Sequence, residues 1–571
     1  NEKTRLEFRY IDLRHPKMQS ILRLRSHVMN TMRQFLTQQY GFVEVETPTL
    51  FKATPGGAKE FVVPTEFKDC YYNLVQSPQQ FKQLLMVGGI DRYFQIARCY
   101  RNEGTKPDRQ PEFTQLDLEM SFTSSDGIMS LIEELIHSIG FVENYEPFPR
   151  MAYADAMQHY GTDKPDLRSD IKIRAVDTYE MNAPIDKDVC LTLVINDLDK
   201  DINDEILRYM DSIGDIKREL QFSGQLTHEL AEDSNQLNFD GVSEAAKQCV
   251  VGQCQPSTGA HIWVVEGSKR DAYRIMGRIR ADCVKLMQKY STSGADRKLS
   301  FVWITDFPLF TPKEESAGYE STHHPFTAPR PQDSQLLRTD PGAVLGQHFD
   351  LVLNGQEVGG GSIRIHDHQM QAYVLREVLK EDIQSMRYFL DALRSGCPPH
   401  GGIALGLDRL LATVLGTDSI RDVIAFPKSA HGRDLMAGSP TAIPPVSHYQ
   451  RLIESGILEV FVGIEYESNE SLKAYHTLNH YHSNLLFLSR NLLIEWHSSK
   501  YTSIAVLVVL LVVIWLGDNT GVHCGCKRDA DCSGDSVLLY ANDSHWGAIR
   551  TPIAGQVKST AAKPGVKLLC M

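Results

Sequence analysis

The sequence predicts an α+β protein, an antiparallel sheet flanked by helices rather than a doubly wound parallel sheet. Three observations predict it. Residues 93–100 and 113–122 read as strands joined by a long, polar, basic loop over 104–110, which makes an antiparallel hairpin. Further strand-like runs at 301–305, 349–353, 362–366 and 401–405 are separated by helical patterns only after 369 and 408. No GxGxxG turn and no Walker loop is present, so the phosphate devices of parallel α/β folds are missing.

The elements follow in order. Residues 16–40 form an amphipathic helix that Pro16 can open, with Ile21, Leu24, Val28, Met32 and Phe35 at helical spacing. Val43, Val45 and Thr47 alternate with acids like a strand before Pro48, and Thr54-Pro55-Gly56-Gly57-Ala58 breaks the chain. The loop over 104–110 is long enough to act as a gripper rather than a tight turn. Residues 153–295 are mixed, with helices expected at 245–249 and 271–290. One helix is expected over 369–394 and another over 408–415.

A chain of 571 residues suggests two to four domains. Its 42% hydrophobic and 23% charged content are ordinary for a soluble globular protein. The net charge of -13 excludes a polycationic surface, though not a local basic face. The first 33 residues offer such a face, with Lys3, Arg5, Arg9, Arg14, Lys17, Arg23, Arg25 and Arg33 against Glu2, Glu7 and Asp12. A solvated helix face explains them equally well. Seven of the eleven cysteines scatter from Cys70 to Cys397 without metal-ligand spacing, which suggests a reducing compartment and buried thiols.

The densest chemistry lies in residues 354–366 (NGQEVGGGSIRIH). Three glycines remove side chains where a ligand must lie against backbone. Glu357 can hold a divalent cation, which prefers carboxylate oxygen. Arg364 offers a planar fork for a carboxylate. The pairing of acid and arginine recurs in Arg101-Asn102-Glu103, in Arg109-Gln110-Pro111-Glu112-Phe113 and in Gly406-Leu407-Asp408-Arg409.

With these runs in view, the chain resembles the class II aminoacyl-tRNA synthetases, and among them the bacterial and mitochondrial type of aspartyl-tRNA synthetase. The first class motif resembles residues 41–50 (GFVEVETPTL), marked by Pro48. The second is the Arg101/Glu103 segment, and the third ends in Arg409. The subtype is marked by residues 76–82 (QSPQQFK), by 109–113 (RQPEF) and by 323–326 (HHPF). The match runs from about residue 4 to about residue 445. Taken singly, each motif is an ordinary ion pair or core aromatic; together and in order they are specific.

The resemblance implies roles. Arg101 grips the α-phosphate and the substrate carboxylate, Glu103 accepts from the adenine amino group, Phe113 stacks on adenine, and Arg409 covers its other face and reaches the γ-phosphate. Asn102, Gln110, Gly406, Leu407 and Asp408 complete the ATP site. Asp350 and Glu357 hold Mg2+; seven apart across a strand and its turn, both can face one ion. Arg364 and Lys82 receive the side-chain carboxylate of aspartate, with Asp117 orienting them. Ser77, Gln79 and Gln115 surround its amine and carboxylate, and His323 and His324 sit on a loop that closes over it. Gly56 replaces the glutamate usual in bacteria, and with Lys59-Glu60 it leans the reading towards the mitochondrial matrix, the cytoplasm being the alternative.

The resemblance also divides the chain: 1–152 and 296–449 as the two parts of the catalytic core, 153–295 as an inserted α+β domain, and 450–571 as an atypical tail. The family's anticodon-reading barrel has no room before Thr4, so weakened tRNA selection is expected. In the tail, residues 504–516 are thirteen apolar residues, about 20 Å of helix against a hydrocarbon core of roughly 30 Å. Even widened to 503–517, this run supports a membrane association only weakly. The expected function is aspartate–tRNA ligation on tRNA(Asp), with tRNA(Asn) as a second acceptor left open, by a homodimer. A paralogue charging a non-tRNA acceptor and a non-catalytic membrane-tethered derivative are the alternatives.

Overall fold

A computed structural model gives the fold. It describes residues 1–441, apart from 55–57, 66, 68–69, 103, 105, 143–144, 177–187, 197–199, 221–224, 232–246, 249, 255, 291–297 and 314–316, together with the strands Ser536–Tyr540 and Trp546–Arg550. By its contacts the chain divides into Asn1–Glu459 and Val460–Met571. In the second unit the two described strands pair antiparallel, Leu538 opposite Ala548. The apolar run 504–516 and the tail cysteines lie outside the described residues. No described helix is long and apolar enough to cross a membrane.

The first unit is built on eight strands: β1 (Val43–Glu44), β2 (Arg92–Tyr100), β3 (Glu112–Ser121), β4 (Arg150–Ala152), β5 (Phe301–Thr305), β6 (His348–Leu353), β7 (Gln356–Ile363) and β8 (His400–Gly406). They lie in the order β1-β2-β3-β8-β7-β6-β5-β4. All pairs from β2 to β5 are antiparallel, as expected. The two edge pairs, β1 on β2 and β4 on β5, are parallel additions to this antiparallel centre. Each edge strand reaches its neighbour through a long crossover and not a hairpin, and a crossover delivers a strand in the parallel sense.

Strand alternation gives the sheet two unlike faces. Phe94, Leu116, Leu118, Leu351, Ile403 and Leu405 turn to one side, into a core with three helices: α1 (Pro16–Gln34), α3 (Ser125–Ile139) and α6 (Leu407–Val414). The opposite face carries Gln115, Asp117, Glu119, His348 and Asp350, and there α2 (Gln79–Val87) packs across β2 and β3. The helix expected over 16–40 is α1 followed by a widened turn, Phe35–Gln39.

Between β4 and β5 the chain leaves through α4 (Tyr153–Tyr160) and returns through α5 (Lys269–Tyr290). It builds a separate four-stranded antiparallel sheet from Arg174–Ala175, Asp188–Ile195, His261–Ser268 and Gln225–Leu230. Leu191, Leu193, Trp263 and Val265 of this sheet meet Ile275, Met276 and Ile279 of α5 in a core of their own. The helix expected over 245–249 falls largely outside the described residues.

Four further expectations change. The strand read over 362–366 is β7, which starts at Gln356 and ends at Ile363; its three central glycines hid it, because glycine has low strand propensity. The helix over 369–394 is broken: His368–Tyr373 runs on into a widened turn, Val374–Val378, and Arg387–Arg394 follows after a break where Lys380 takes φ 58. Cys70 is exposed rather than buried, and the described cysteines are free thiols. The basic N-terminal stretch is partly internal: Arg9 is buried and donates to the backbone oxygens of Ala425 and Ile424, each at 2.8 Å, while Arg5, Arg25 and Arg33 pair with Asp12, Asp408 and Glu44.

Candidate active site

The polar face of the sheet is a floor with a readable register. Glu119 lies opposite Gly402, Gly402 opposite Ser362, and Ser362 opposite His348; one step along, Asp117, Ala404, Gly360 and Asp350 form a second row. Small residues therefore separate acids on β3 from an acid on β6. They have to be small. A Cβ on Gly402 would stand 2.0 Å from Glu119 Oε2, and one on Gly360 would stand 2.6 Å from Asp350 Oδ1.

At the β3 end, α2 drops Lys82 onto the floor. Its Nζ lies 2.7 Å from Asp117 Oδ1 and 3.1 Å from Glu119 Oε2, with all three side chains buried. Arg364, just beyond β7, donates through Nε to Glu119 Oε1 at 2.9 Å and through Nη2 to Glu119 Oε2 at 3.3 Å. Its Nη1 donates to Ser362 Oγ at 2.6 Å, and its Nη2 also to Gly402 O at 3.2 Å. The fork expected to clamp a ligand carboxylate thus turns its Nε–Nη2 edge onto Glu119. Burial works against the Glu119 carboxylate, but Arg364 and Lys82 overcome it and hold its pKa at about 2. Asp117 goes the other way: burial raises its pKa, and Lys82 offsets this only in part.

Beside this charged layer lies a cavity of about 220 Å³, lined among others by Ser77, Gln79, Arg101, His323, His324 and Glu60. Five of these six were expected from the sequence. His324 is held neutral, its pKa lowered to about 3 by burial and then by the nearby Arg364 and Lys82. Its buried Nδ1 has no partner among the described residues, so it can serve a ligand. His323 stacks on His348, ring centroids 3.6 Å apart. Glu60 accepts from Thr54 Oγ1 at 2.6 Å and from Gln76 Nε2 at 3.0 Å, and so ties the breaker segment to the cavity wall. Gly56 lies outside the described residues.

Two arginines border the side where the sequence leads one to expect the nucleotide. The Arg101 guanidinium sits 5.2 Å from the centroid of Phe113, and its buried Nε has no partner among the described residues. Arg409, on α6, donates through Nη1 to Glu357 O at 2.7 Å and reaches Asp108 at 3.5 Å, while its Nε is likewise buried and unpaired. A buried donor left unpaired costs free energy that a ligand oxygen would recover. Other expected nucleotide residues are engaged elsewhere. Gln110 exchanges two hydrogen bonds with the Lys428 backbone, at 2.7 and 3.0 Å. Asp408 is buried between Arg25 and the Thr114 N–H, which donates at 2.9 Å. Leu407 is a core residue, Gly406 precedes α6, and Asn102 donates its N–H to Lys59 O at 2.7 Å. Gln115 accepts from the Cys99 thiol at 3.2 Å. Glu103 lies outside the described residues.

Asp350 and Glu357 meet on the same face because the β6–β7 hairpin carries a bulge between Leu351 and Val352. An unbroken register would put Val358 on the floor; the bulge sends Val358 into the core and puts Glu357 opposite Val352. Both acids then flank Gly360, where a Cβ would lie 2.6 Å from one and 3.8 Å from the other. Two carboxylates over a glycine cradle suit a hard divalent cation such as Mg2+. Burial and the neighbouring Glu357 charge push Asp350 well above the usual aspartate range. Burial also opposes the Glu357 charge, yet Lys164 and Arg409 keep that carboxyl below its ordinary value.

Residues 1–430 match the model of the class II tRNA synthetases (D, K and N). The chain belongs to that family. The mitochondrial aspartate–tRNA ligase of Bos taurus is 46% identical over 474 residues, 78% of this chain and 70% of that one. That of Homo sapiens is 46% identical over 475 residues, 78% and 71% of the two chains. The aspartate–tRNA(Asp/Asn) ligase of Opitutus terrae is 42% identical over 461 residues, 78% and 77%.

The synthetase's floor contains residues that motif reading passed over: Glu119, Ser362, His348 and Lys164. Strand alternation could have found two of them. Glu119 stands two residues beyond Asp117, and His348 two before Asp350, so each shares its neighbour's face. His348 holds Asp350 Oδ1 at 2.8 Å. Ser362 and Lys164 come from pairings across the fold and carry no local signal.

Proposed function

We infer that the synthetase activates L-aspartate with ATP, forms aspartyl-adenylate, and passes the aspartyl group to the 3′ end of tRNA(Asp). The observation that carries this is the buried layer of Lys82 and Arg364 with Asp117 and Glu119, adjoining a cavity with room for a small acid. Cations fixed in a dry site discriminate aspartate from asparagine, because a neutral amide would leave them less compensated.

Activation is an in-line attack by the substrate carboxylate on the α-phosphate. The nucleophile is already an anion, so no base is required, and the work is to bring two anions together and stabilise charge on the phosphoryl oxygens. Arg101 stands where one guanidinium can touch both the carboxylate and the α-phosphate. Phe113 offers its ring to adenine, and Arg409 covers the triphosphate end. Asp350 and Glu357 would hold Mg2+, which supplies charge neutralisation at the phosphates. Ser77, Gln79, Gln115, His323 and His324 orient the amino acid. Residues 153–295 act as an inserted domain within the core.

The mitochondrial names of the relatives from Bos taurus and Homo sapiens support a location in the mitochondrial matrix. Exposed Val43, Leu50, Val62, Tyr71 and Tyr72, around the first motif, support a homodimer through that face. The test of the activity is aspartate-dependent ATP–pyrophosphate exchange by the full chain with Mg2+. Exchange is expected with aspartate and not asparagine, and Arg364→Gln is expected to raise the KM for aspartate far more than that for ATP. A folded chain that exchanges with no amino acid would overturn the reading.

A further inference from the structure

Lys164 belongs to none of the three motifs, yet its Nζ stands 3.0 Å from Glu357 Oε2, nearer than to its own neighbour Asp163 at 3.8 Å. The segment that carries it is clamped on two sides. Gly161, at φ 65, closes α4 with its backbone against Gly277 of α5; a Cβ on Gly277 would lie 2.2 Å from Gly161 O. Asp166 pairs with Arg168 at 2.6 Å and accepts from Gln288 of α5 at 3.1 Å. On the other side, Asp166 Cβ would be 3.3 Å from a Cβ on Gly355, in the β6–β7 turn. The inserted region thus wedges a lysine against one of the two acids that flank Gly360.

We propose that Lys164 is a built-in counter-ion, which holds the Glu357 carboxylate in the unloaded enzyme and yields it to the divalent cation. The proposal rests on the reading of Asp350 and Glu357 as the cation's acids. The ammonium occupies Oε2, one of the few oxygens the cradle can offer. A divalent ion takes carboxylate oxygen directly, at about 2.1 Å for Mg2+. It also repels a second positive charge on the same carboxylate. The two therefore compete for Glu357. The lysine keeps Glu357 oriented and its charge balanced beside Asp350 until the cation arrives, and it makes cation binding answerable to the inserted region.

The test is Mn2+ binding to the full chain without nucleotide, followed by the paramagnetic signal of the free ion. Lys164→Gln should tighten Mn2+ binding about fivefold, the size expected when a partly exposed ion pair is removed from the competition. Lys164→Arg should stay close to wild type, and Glu357→Gln should abolish binding. Unchanged or weaker Mn2+ affinity in Lys164→Gln would overturn the proposal alone. Wild-type protein that binds no Mn2+, or Glu357→Gln that binds it normally, would overturn the cation reading and the proposal with it. A second measurement needs no variant: amine labelling of the wild-type chain, read by mass spectrometry at Lys164. Labelling should speed up several-fold when Mn2+ is added, and constant or slower labelling would count against displacement.

Discussion

Below Lys82 and Arg364 every charge faces its opposite, whereas the buried Nε of Arg101 and that of Arg409 meet no acceptor among the described residues. The first region is complete before substrate arrives: two cations and two carboxylates, all nearly inaccessible, with distances of 2.7–3.1 Å around Lys82. The second has an unpaired Nε on each arginine and an acid held by a lysine that is partly exposed. The difference teaches how one floor serves two ligands. On the proposed function, a small acid is sorted by a rigid, preformed charge pattern, which costs no reorganisation at the moment of binding. A triphosphate brings its own charge and its own cation, so the residues that meet it can remain unsatisfied until then.

The comparison breaks most visibly at Glu119, which is expected to matter for folding more than for chemistry. Glu119→Gln leaves Lys82 with Asp117 alone and Arg364 without a carboxylate partner, and removing one partner of a buried ionic network costs about 3–5 kcal/mol. Urea denaturation should show that loss. A variant as stable as wild type would mean that the four charges are not a unit. Arg101→Ala should do the reverse. Loss of a charge-assisted clamp on the transition state costs about 10²–10³-fold in exchange rate. The denaturation midpoint should barely move, because among the described residues the Arg101 guanidinium approaches the Phe113 ring and leaves its Nε unpaired. If both variants lose stability and activity together, the two regions are not distinct.

Acid sharpens the same contrast. The folded pKa of Glu119, about 2, lies below its ordinary 4.5, so the stability it supplies is present above pH 4.5 and is lost as pH falls towards 2. Asp117 has the opposite sign, since its raised pKa favours the protonated form in the folded state. The stability gap between wild type and Glu119→Gln should therefore shrink as pH drops from 6 to 3. A gap that stays constant over that window would show that Glu119 is not held ionised by Arg364 and Lys82.

Much of this was legible in the chain, and what was not has physical reasons. The hairpin of β2 and β3 and the core strands showed in their apolar alternation, and Asp350 and Glu357 were named together by the resemblance. The bulge that makes that pairing work did not show, because nothing in Leu351-Val352 differs from a regular strand. β7 was displaced in the reading by its own glycines, which are there so that carboxylates can stand over them. Ser77, Gln79, Arg101, His323 and His324 do line one cavity. Gln110 and Asp408 were legible from motif position, but the partners that fix them, Lys428 and Arg25, lie hundreds of residues away and could not be seen locally.

Arg25 gives the smallest and most diagnostic effect. Its Nη1 lies 2.5 Å from Asp408 Oδ1, and the other Asp408 oxygen takes the Thr114 N–H at 2.9 Å. This carboxylate therefore ties α1 to β3 at Thr114, next to Phe113, and to α6 one residue before Arg409. Arg25→Ala leaves the carboxylate buried with one donor, at a cost of about 1–2 kcal/mol in stability. It should also loosen Phe113 and Arg409 together, and both belong to the nucleotide region. The expected kinetic result is a KM for ATP raised a few-fold, with the KM for aspartate and kcat almost unchanged, and recovery in Arg25→Lys. A fall in kcat with KM for ATP unchanged would place Arg25 in the chemistry itself, and a matching rise in the KM for aspartate would mean that the two regions share one support.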